Sequence, residues 1–342
     1  MAEKTPTPHP GQPDWKTEFQ AAKQGAALFE LPGLDLLRVT GADHVDLLHR
    51  LSMNELRKLE PGEMLVNAFA NASGKVLQAV FMIKRAQSID LLTGFNQGQA
   101  LAEWLEKYIF IEDVKIDILS KDYVPLLLVG PGAVEAVSTA VEPFRLTSVS
   151  WEGTAFEIAR VDYLLPAGVL ILAPREGVAR VRSRLLAPNA GVQVVAAGSE
   201  ALQVLRVEQG IPFPGHEIDG NTNPYECGLQ QFINYNKGCY IGQEVIARLD
   251  TYDKVKYSYV GLSLENGVAP QVPAPIFSEA REVGRVTSVA PSLEVGKMNA
   301  IALIRKKALD AQQEFLIKTP KGEILASVRP FERADVAPIE RN

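Results

Sequence analysis

From Ser258 onward the chain is a succession of short β-type runs, and this stretch constrains the fold more than any other. The runs at 258–264, 275–277, 283–289, 299–304, 314–319 and 324–328 alternate with turns. Strands this short and this closely spaced leave no room for crossover helices, and they predict a small antiparallel barrel. Upstream the texture differs. Strand patterns at 34–39, 64–70, 75–85, 88–92, 114–119, 124–129, 156–161 and 169–172 are interleaved with helical patterns near 40–51, 96–108, 131–140, 176–186 and 199–209. Without a repeated long βαβ unit, this mixture predicts an α+β fold of layered α/β subdomains, followed by the barrel. The texture changes between Thr251 and Lys256, so we expect a region at 26–253, a barrel at 254–332 and a tail at 333–342. Residues 1–25 read as a disordered Pro-rich tail: four prolines precede Asp14, and no apolar signal-peptide core accompanies them.

Local chemistry sets several boundaries. Thr40, with Asp43 three residues on, predicts a capping box. Asn96 is placed to cap the next helix and Pro131 to open another. Asn71-Ala72-Ser73-Gly74 reads as a turn. The helix ending at Gln209 stops at Gly210, and Pro212 and Pro214 keep the following loop irregular.

Composition narrows the function classes. With 46% apolar and 22% charged residues over 342 positions, the chain has an ordinary globular make-up, enough for two or three domains. A net charge of −6 argues against a broad nucleic-acid footprint. No run of about 18 apolar residues predicts a membrane span. Two cysteines, Cys227 and Cys239, do not make a disulfide framework and fit a reducing compartment, here expected to be the cytoplasm. With four histidines they do not give a zinc-site spacing either, and no metal is expected; His44 and His49, five apart, do not share a helix face.

Chemistry concentrates in Lys237-Gly238-Cys239-Tyr240-Ile241-Gly242-Gln243-Glu244, followed by Val245-Ile246-Ala247-Arg248. Gly238 and Gly242 permit a close approach of other groups. From Gly242 a short helix is expected, with Glu244 in its first turn, where the dipole favours a carboxylate. Cys239 would precede a helix N-terminus two residues after Lys237, and both features favour a thiolate. A small buried apolar residue is the competing reading of Cys239. Cys227, in the run Tyr225-Glu226-Cys227-Gly228-Leu229, reads as a packing residue.

The eight-residue run K-G-C-Y-I-G-Q-E resembles the signature of the YgfZ family, folate-binding-fold proteins similar to the glycine-cleavage T-protein. The resemblance extends loosely over residues 26–332. It implies an accessory role in assembly or repair of iron–sulfur clusters in other enzymes, tRNA-modifying ones included, working through Cys239. Iron–sulfur client or assembly proteins and tetrahydrofolate are the partners it implies. A tetrahydrofolate-dependent one-carbon transferase or demethylase is the alternative. The segment Leu205-Arg206-Val207-Glu208-Gln209-Gly210-Ile211 is similar to one that borders the folate cavity in such folds, with Glu208 expected in a surface charge pair. By the same resemblance, Asn71, Gln78, Arg206 and the loop after Gly210 would border that cavity.

Two departures stand out. Residues 71–79 are similar to the T-protein's N-x-x-G-G-[VI]-x-D-D, in which an aspartate supports aminomethyl transfer, yet Gln78 and Ala79 occupy the acidic pair. An amide takes up no proton, so that chemistry is not expected here. Gly168-Val169-Leu170-Ile171 falls where the T-protein has G-[FY]-E-[IL], and Leu170 cannot accept the pterin hydrogen bonds of that glutamate. Weak folate binding is therefore expected.

Overall fold

The computed structural model describes residues 14–161, 168–188, 191–320 and 322–332. They group into two compact units: one from the chain up to Pro32 with Lys121–Arg206, the other from Gly33–Ser120 with Val207 onward. The fold is α+β, as the sequence predicts.

The first unit is built on a six-stranded sheet: β1 (Ala26–Glu30), β7 (Tyr123–Val129), β8 (Thr147–Trp151), β9 (Thr154–Arg160), β10 (Val169–Pro174) and β11 (Val194–Ala197). Its order is β11-β1-β7-β10-β9-β8, with β1 parallel to β11 and the other neighbours antiparallel. Leu28, Leu126, Leu128, Ile158, Val169 and Ile171 form its core, closed by Val181 and Leu185 of α5 (Val178–Leu186). The short α4 (Ala133–Val137) stops at Ser138, which is in the left-handed region.

Helix α1 (Trp15–Gln24) corrects the expectation of a disordered tail reaching residue 25. Asp14 accepts a hydrogen bond from Thr17 N at 2.9 Å and caps it, Phe19 and Ala22 are buried, and buried Glu18 accepts from Gly198 N at 2.9 Å. The prolines that suggested disorder all precede this cap. The rest of that predicted tail, and the one predicted at 333–342, lie outside the described residues. Helix α6 (Ser199–Gln209) has the bounds its pattern predicts.

In the second unit, β2 (Leu34–Thr40), β3 (Met64–Ala70), β4 (Val76–Lys84), β5 (Ser88–Phe95) and β6 (Lys115–Ile118) form an antiparallel sheet in the order β3-β4-β5-β2-β6. Helices α2 (His44–Leu51) and α3 (Gly98–Glu106) cover it, burying Leu47, Leu48, Leu51, Leu101 and Leu105 against Val39, Phe69, Met82 and Leu91. Both predicted caps are replaced. Thr40 belongs to β2, while Asp43 and Asp113 exchange backbone contacts, Asp113 N donating to Asp43 Oδ2 at 2.8 Å and Ala42 N to Asp113 Oδ2 at 3.1 Å. Asn96 sits at φ +54°, and Gly98 N at the start of α3 donates to Asp35 of β2 at 2.8 Å.

Helix α7 (Gln243–Thr251) leads to the barrel: β12 (Tyr257–Leu264), β13 (Ala274–Ser278), β14 (Arg281–Pro291), β15 (Met298–Arg305), β16 (Glu314–Thr319) and β17 (Gly322–Arg329), with α8 (Lys306–Ala311) between β15 and β16. The strands close in the order β12-β15-β14-β13-β16-β17, around Leu262, Ile276, Val286, Ala302, Phe315 and Ile324. This is the predicted antiparallel barrel.

Candidate functional site

The signature segment is fastened to the C-terminus of α2. A helix end leaves carbonyls without intrahelical partners. Here Lys237 Nζ donates to His49 O at 2.6 Å, Ser52 O at 2.5 Å and Asn54 O at 3.1 Å. An ammonium has three donors, and all three are used. Ile241 N donates to Arg50 O at 3.2 Å and Asn234 N to Met53 O at 3.0 Å, so backbone bonds extend the attachment on both sides. Burial pulls the Lys237 ammonium down to about 8. With its three donors spent on the end of α2, Lys237 acts first as a cap for that helix, a role its spacing from Cys239 did not suggest.

Cys239 and its neighbour Gly238 are exposed, four and five residues ahead of α7. Tyr240 is buried with its ring 5.1 Å from Lys237 Nζ, and burial raises its phenol pKa. Gly242 caps α7 at φ +82°, where a Cβ would stand 2.5 Å from Asn71 O. The turn Asn71–Gly74 thus presses on the first turn of α7, and only glycine fits. Beyond it Gln243 N donates to Tyr240 O at 3.2 Å, and Glu244 pairs with Arg248 at 2.7 Å on the exposed face. Cys227 is fully buried, with its thiol pushed up by burial, as a packing residue should be.

The remaining predicted residues are divided between the two units. Asn71 Oδ1 accepts from Ser73 N at 2.9 Å and Lys75 N at 3.1 Å, so that oxygen is held within its own turn. Gln78 on β4 is buried; its Nε2 donates to Gln97 O at 3.1 Å, and its Oε1 is buried with no partner among the described residues. In the first unit Arg206 is buried, its Nε donating to Gln203 Oε1 at 2.7 Å. Leu170, also buried, lies on β10 one position off the core-facing Val169 and Ile171. Glu208 is 9% exposed, which corrects the expectation of a surface charge pair.

Two further side chains escaped the sequence reading. His49 is 1% exposed, its Nδ1 3.2 Å from Glu55 Oε1, and its Nε2 faces Gly238 with no partner among the described residues. Burial first, then the Lys237 charge, lowers its pKa. Glu217, fully buried, accepts from Thr287 Oγ1 at 2.7 Å and Ser288 Oγ at 2.6 Å on Oε1, and from Phe213 N at 3.0 Å on Oε2. An acidic residue in a loop bounded by proline and glycine was the available signal for Glu217; for His49 there was none beyond its type. Among the described residues, no three His, Cys, Asp or Glu side chains cluster to hold a metal ion, and no helix is long and apolar enough to cross a membrane.

Two family models account for this arrangement of sheet, helices and barrel. The GCVT N-terminal domain matches residues 5–237, and the glycine cleavage T-protein C-terminal barrel domain matches residues 258–331. The chain belongs to the glycine cleavage T-protein family. Among its relatives in that family, a putative chloroplastic transferase of Arabidopsis thaliana is 29% identical over 299 residues, covering 85% of this chain and 68% of its own length. An aminomethyltransferase of Chlorobium limicola is 27% identical over 290 residues, covering 81% and 80%. The crystal structure of aminomethyltransferase T from Bartonella henselae superposes with a TM-score of 0.80 at 21% identity, over 92% of this chain and 88% of that one, a likeness of fold.

Proposed function

We propose that this protein binds tetrahydrofolate and acts on a one-carbon unit, as a folate-dependent transferase or demethylase in the aminomethyltransferase mould. The observation that carries this is Gln78 Oε1, a buried acceptor without a partner among the described residues, in a segment whose resemblance to the T-protein puts Gln78 and Ala79 at the acidic pair. An unmet buried acceptor costs about 1–3 kcal/mol, and a ligand N–H recovers it. A reduced pterin offers such donors, so the group fits the residue. Tetrahydrofolate supplies a nucleophilic ring nitrogen that carries the one-carbon unit. Gln78, its amide nitrogen held on Gln97, orients that ring and takes no proton. Turnover with an aminomethyl-lipoyl donor is therefore expected to be absent. The affinity is expected in the micromolar range, roughly −8 kcal/mol. Calorimetric titration with tetrahydrofolate tests the reading: wild type binds, and Gln78→Leu weakens binding about tenfold. No heat with wild type, or equal binding by both, refutes it.

A second reading rests on the exposure of Cys239 on a segment anchored at both sides. It places the chain in the YgfZ branch of the family, working in a reducing cytoplasm on iron–sulfur client proteins through that thiol. The aminomethyltransferase relatives support the first reading more directly. Complementation by Cys239→Ala of cells lacking the protein, read by iron–sulfur enzyme activity, separates the two. Full rescue removes the second.

A further inference from the structure

Strand β6 is the outer strand of the five-stranded sheet and, among the described residues, pairs only with β2. Its register sets Lys115 opposite Thr40, Ile116 opposite Val39, Asp117 opposite Arg38 and Ile118 opposite Leu37. Leu119 N donates to Leu36 O at 2.7 Å. By alternation, Lys115 and Asp117 turn their backbone groups toward β2, whereas Ile116 and Ile118 turn N–H and C=O outward. The outward row is a template for another strand. Beside it, Lys115 and Asp117 share one face, 74% and 41% exposed and paired at 2.8 Å.

The loop entering β6 carries the largest apolar exposure of this unit's sheet region: Phe110 is 83% exposed and Ile111 96%. These side chains are held out rather than left loose. Phe110 N and Ile111 N donate to Glu112 Oε2 at 2.9 and 3.1 Å, and Arg50 Nη2 of α2 donates to Glu112 Oε1 at 3.0 Å. Two adjacent large apolar groups presented on a pinned backbone mark an interaction surface.

We propose that this edge is where two copies of the chain associate, β6 against β6 in antiparallel pairing about a two-fold axis at Ile116. The occupant is chosen by charge. Lys115-Ile116-Asp117 is self-complementary: with Ile116 opposite its own copy, each Lys115 faces Asp117 of the second chain, twice over by symmetry. The register also uses the outward backbone groups of Ile116, and it carries each Phe110-Ile111 tip alongside the end of the second copy's β6, where Ile118 is 40% exposed.

Sedimentation equilibrium of the full chain over a wide concentration range, with charge-reversal variants, tests this. Wild type forms a dimer; Lys115→Asp and Asp117→Lys each weaken it by about tenfold or more, because each creates two like-charge oppositions. The double variant Lys115→Asp/Asp117→Lys restores the wild-type dimer. Both side chains are exposed, so none of these changes removes a core contact. A wild-type monomer at every concentration, a dimer indifferent to the single reversals, or a double variant that stays weakened each overturns the proposal; a monomer would leave the edge to a foreign strand.

Discussion

At the scale of single residues, the two cysteines offer the sharpest contrast in the chain. Cys239 stands in solvent between Gly238 and Tyr240, whereas Cys227 is fully buried and its thiol is pushed up by burial. A thiol reacts as its thiolate and only where a reagent can reach it. Alkylation of the folded protein near neutral pH is therefore expected to label Cys239 and spare Cys227, with peptide mass spectrometry as the readout. Equal slow labelling of both would leave the signature as a structural turn. From the sequence, Cys239 stood between a reactive thiol and a buried apolar residue; the packing role of Cys227 was legible. The task of Lys237 was not. Its spacing of two from Cys239 suggested support for a thiolate, but the carbonyls it serves belong to His49, Ser52 and Asn54, more than 180 positions away. No local pattern encodes a cap that arrives from so far along the chain.

At the scale of elements, α2 gathers most of the site's constraints, and it depends on groups outside itself. Replacing Lys237 with Met keeps the aliphatic stem but leaves three buried carbonyls without a donor. A loss of about 2–4 kcal/mol is expected, read as a lower midpoint in urea unfolding. Gly242→Ala should cost about 2 kcal/mol or more, since it combines a left-handed backbone with a methyl 2.5 Å from Asn71 O. Helix α2 also carries a pH dependence. Burial lowers the pKa of both His44 and His49 from the ordinary value of 6.5. His44 Nδ1 donates to Gly41 O at 2.6 Å and its Nε2 lies 3.3 Å from Lys84 Nζ, an arrangement suited to a neutral ring. As pH falls below 6.5 the unfolded chain binds protons that the folded chain does not, so stability is full above that value and declines beneath it. Thermal midpoints measured from pH 7.5 downward should fall, and His49→Gln should flatten the slope; a flat wild-type profile would contradict the assignment. Elements with clear periodicity, such as α6 and β3, were legible to the residue. The first turns of α2 and α3 were not, because Asp113 and Asp35 supply contacts from distant segments where Thr40 and Asn96 offered local ones.

At the scale of the molecule, the chain enters the second unit twice, and the loop after Gly210 joins its barrel to its sheet. On the barrel side, Tyr259 OH donates to Gly210 O at 3.0 Å, Arg285 pairs with Asp219 at 3.2 Å, and Arg329 Nη2 donates to Val207 O at 3.0 Å. On the sheet side, Val76 N donates to Thr222 O at 2.8 Å, and Pro214 packs where a Cβ on Gly94 would stand. Glu217 sits between these attachments. The register of β14 against β15 shifts between Val286 and Ser288, and such a bulge lets successive side chains point the same way. Thr287 and Ser288 therefore both reach one carboxylate oxygen, while Phe213 N and, through the Glu217 carbonyl, Thr222 Oγ1 bind the loop to the same residue. A barrel was legible from six strand runs; its attachment was not, because it depends on one acidic residue and a bulge that strand periodicity does not reveal. Glu217→Leu removes the acceptor that Thr287 Oγ1, Ser288 Oγ and Phe213 N share, while Thr287 keeps its bond to Ile301 O, a loss of about 2 kcal/mol or more. Because the lost bonds join barrel to loop, the expected damage is to cooperativity as well as to stability. Hydrogen exchange should accelerate first in β14 and in residues 211–222, and calorimetry should resolve a barrel transition ahead of the rest. Uniform destabilisation, with one transition and no local gain in exchange, would mean that the remaining ties at Gly210, Asp219 and Val207 hold the barrel without Glu217.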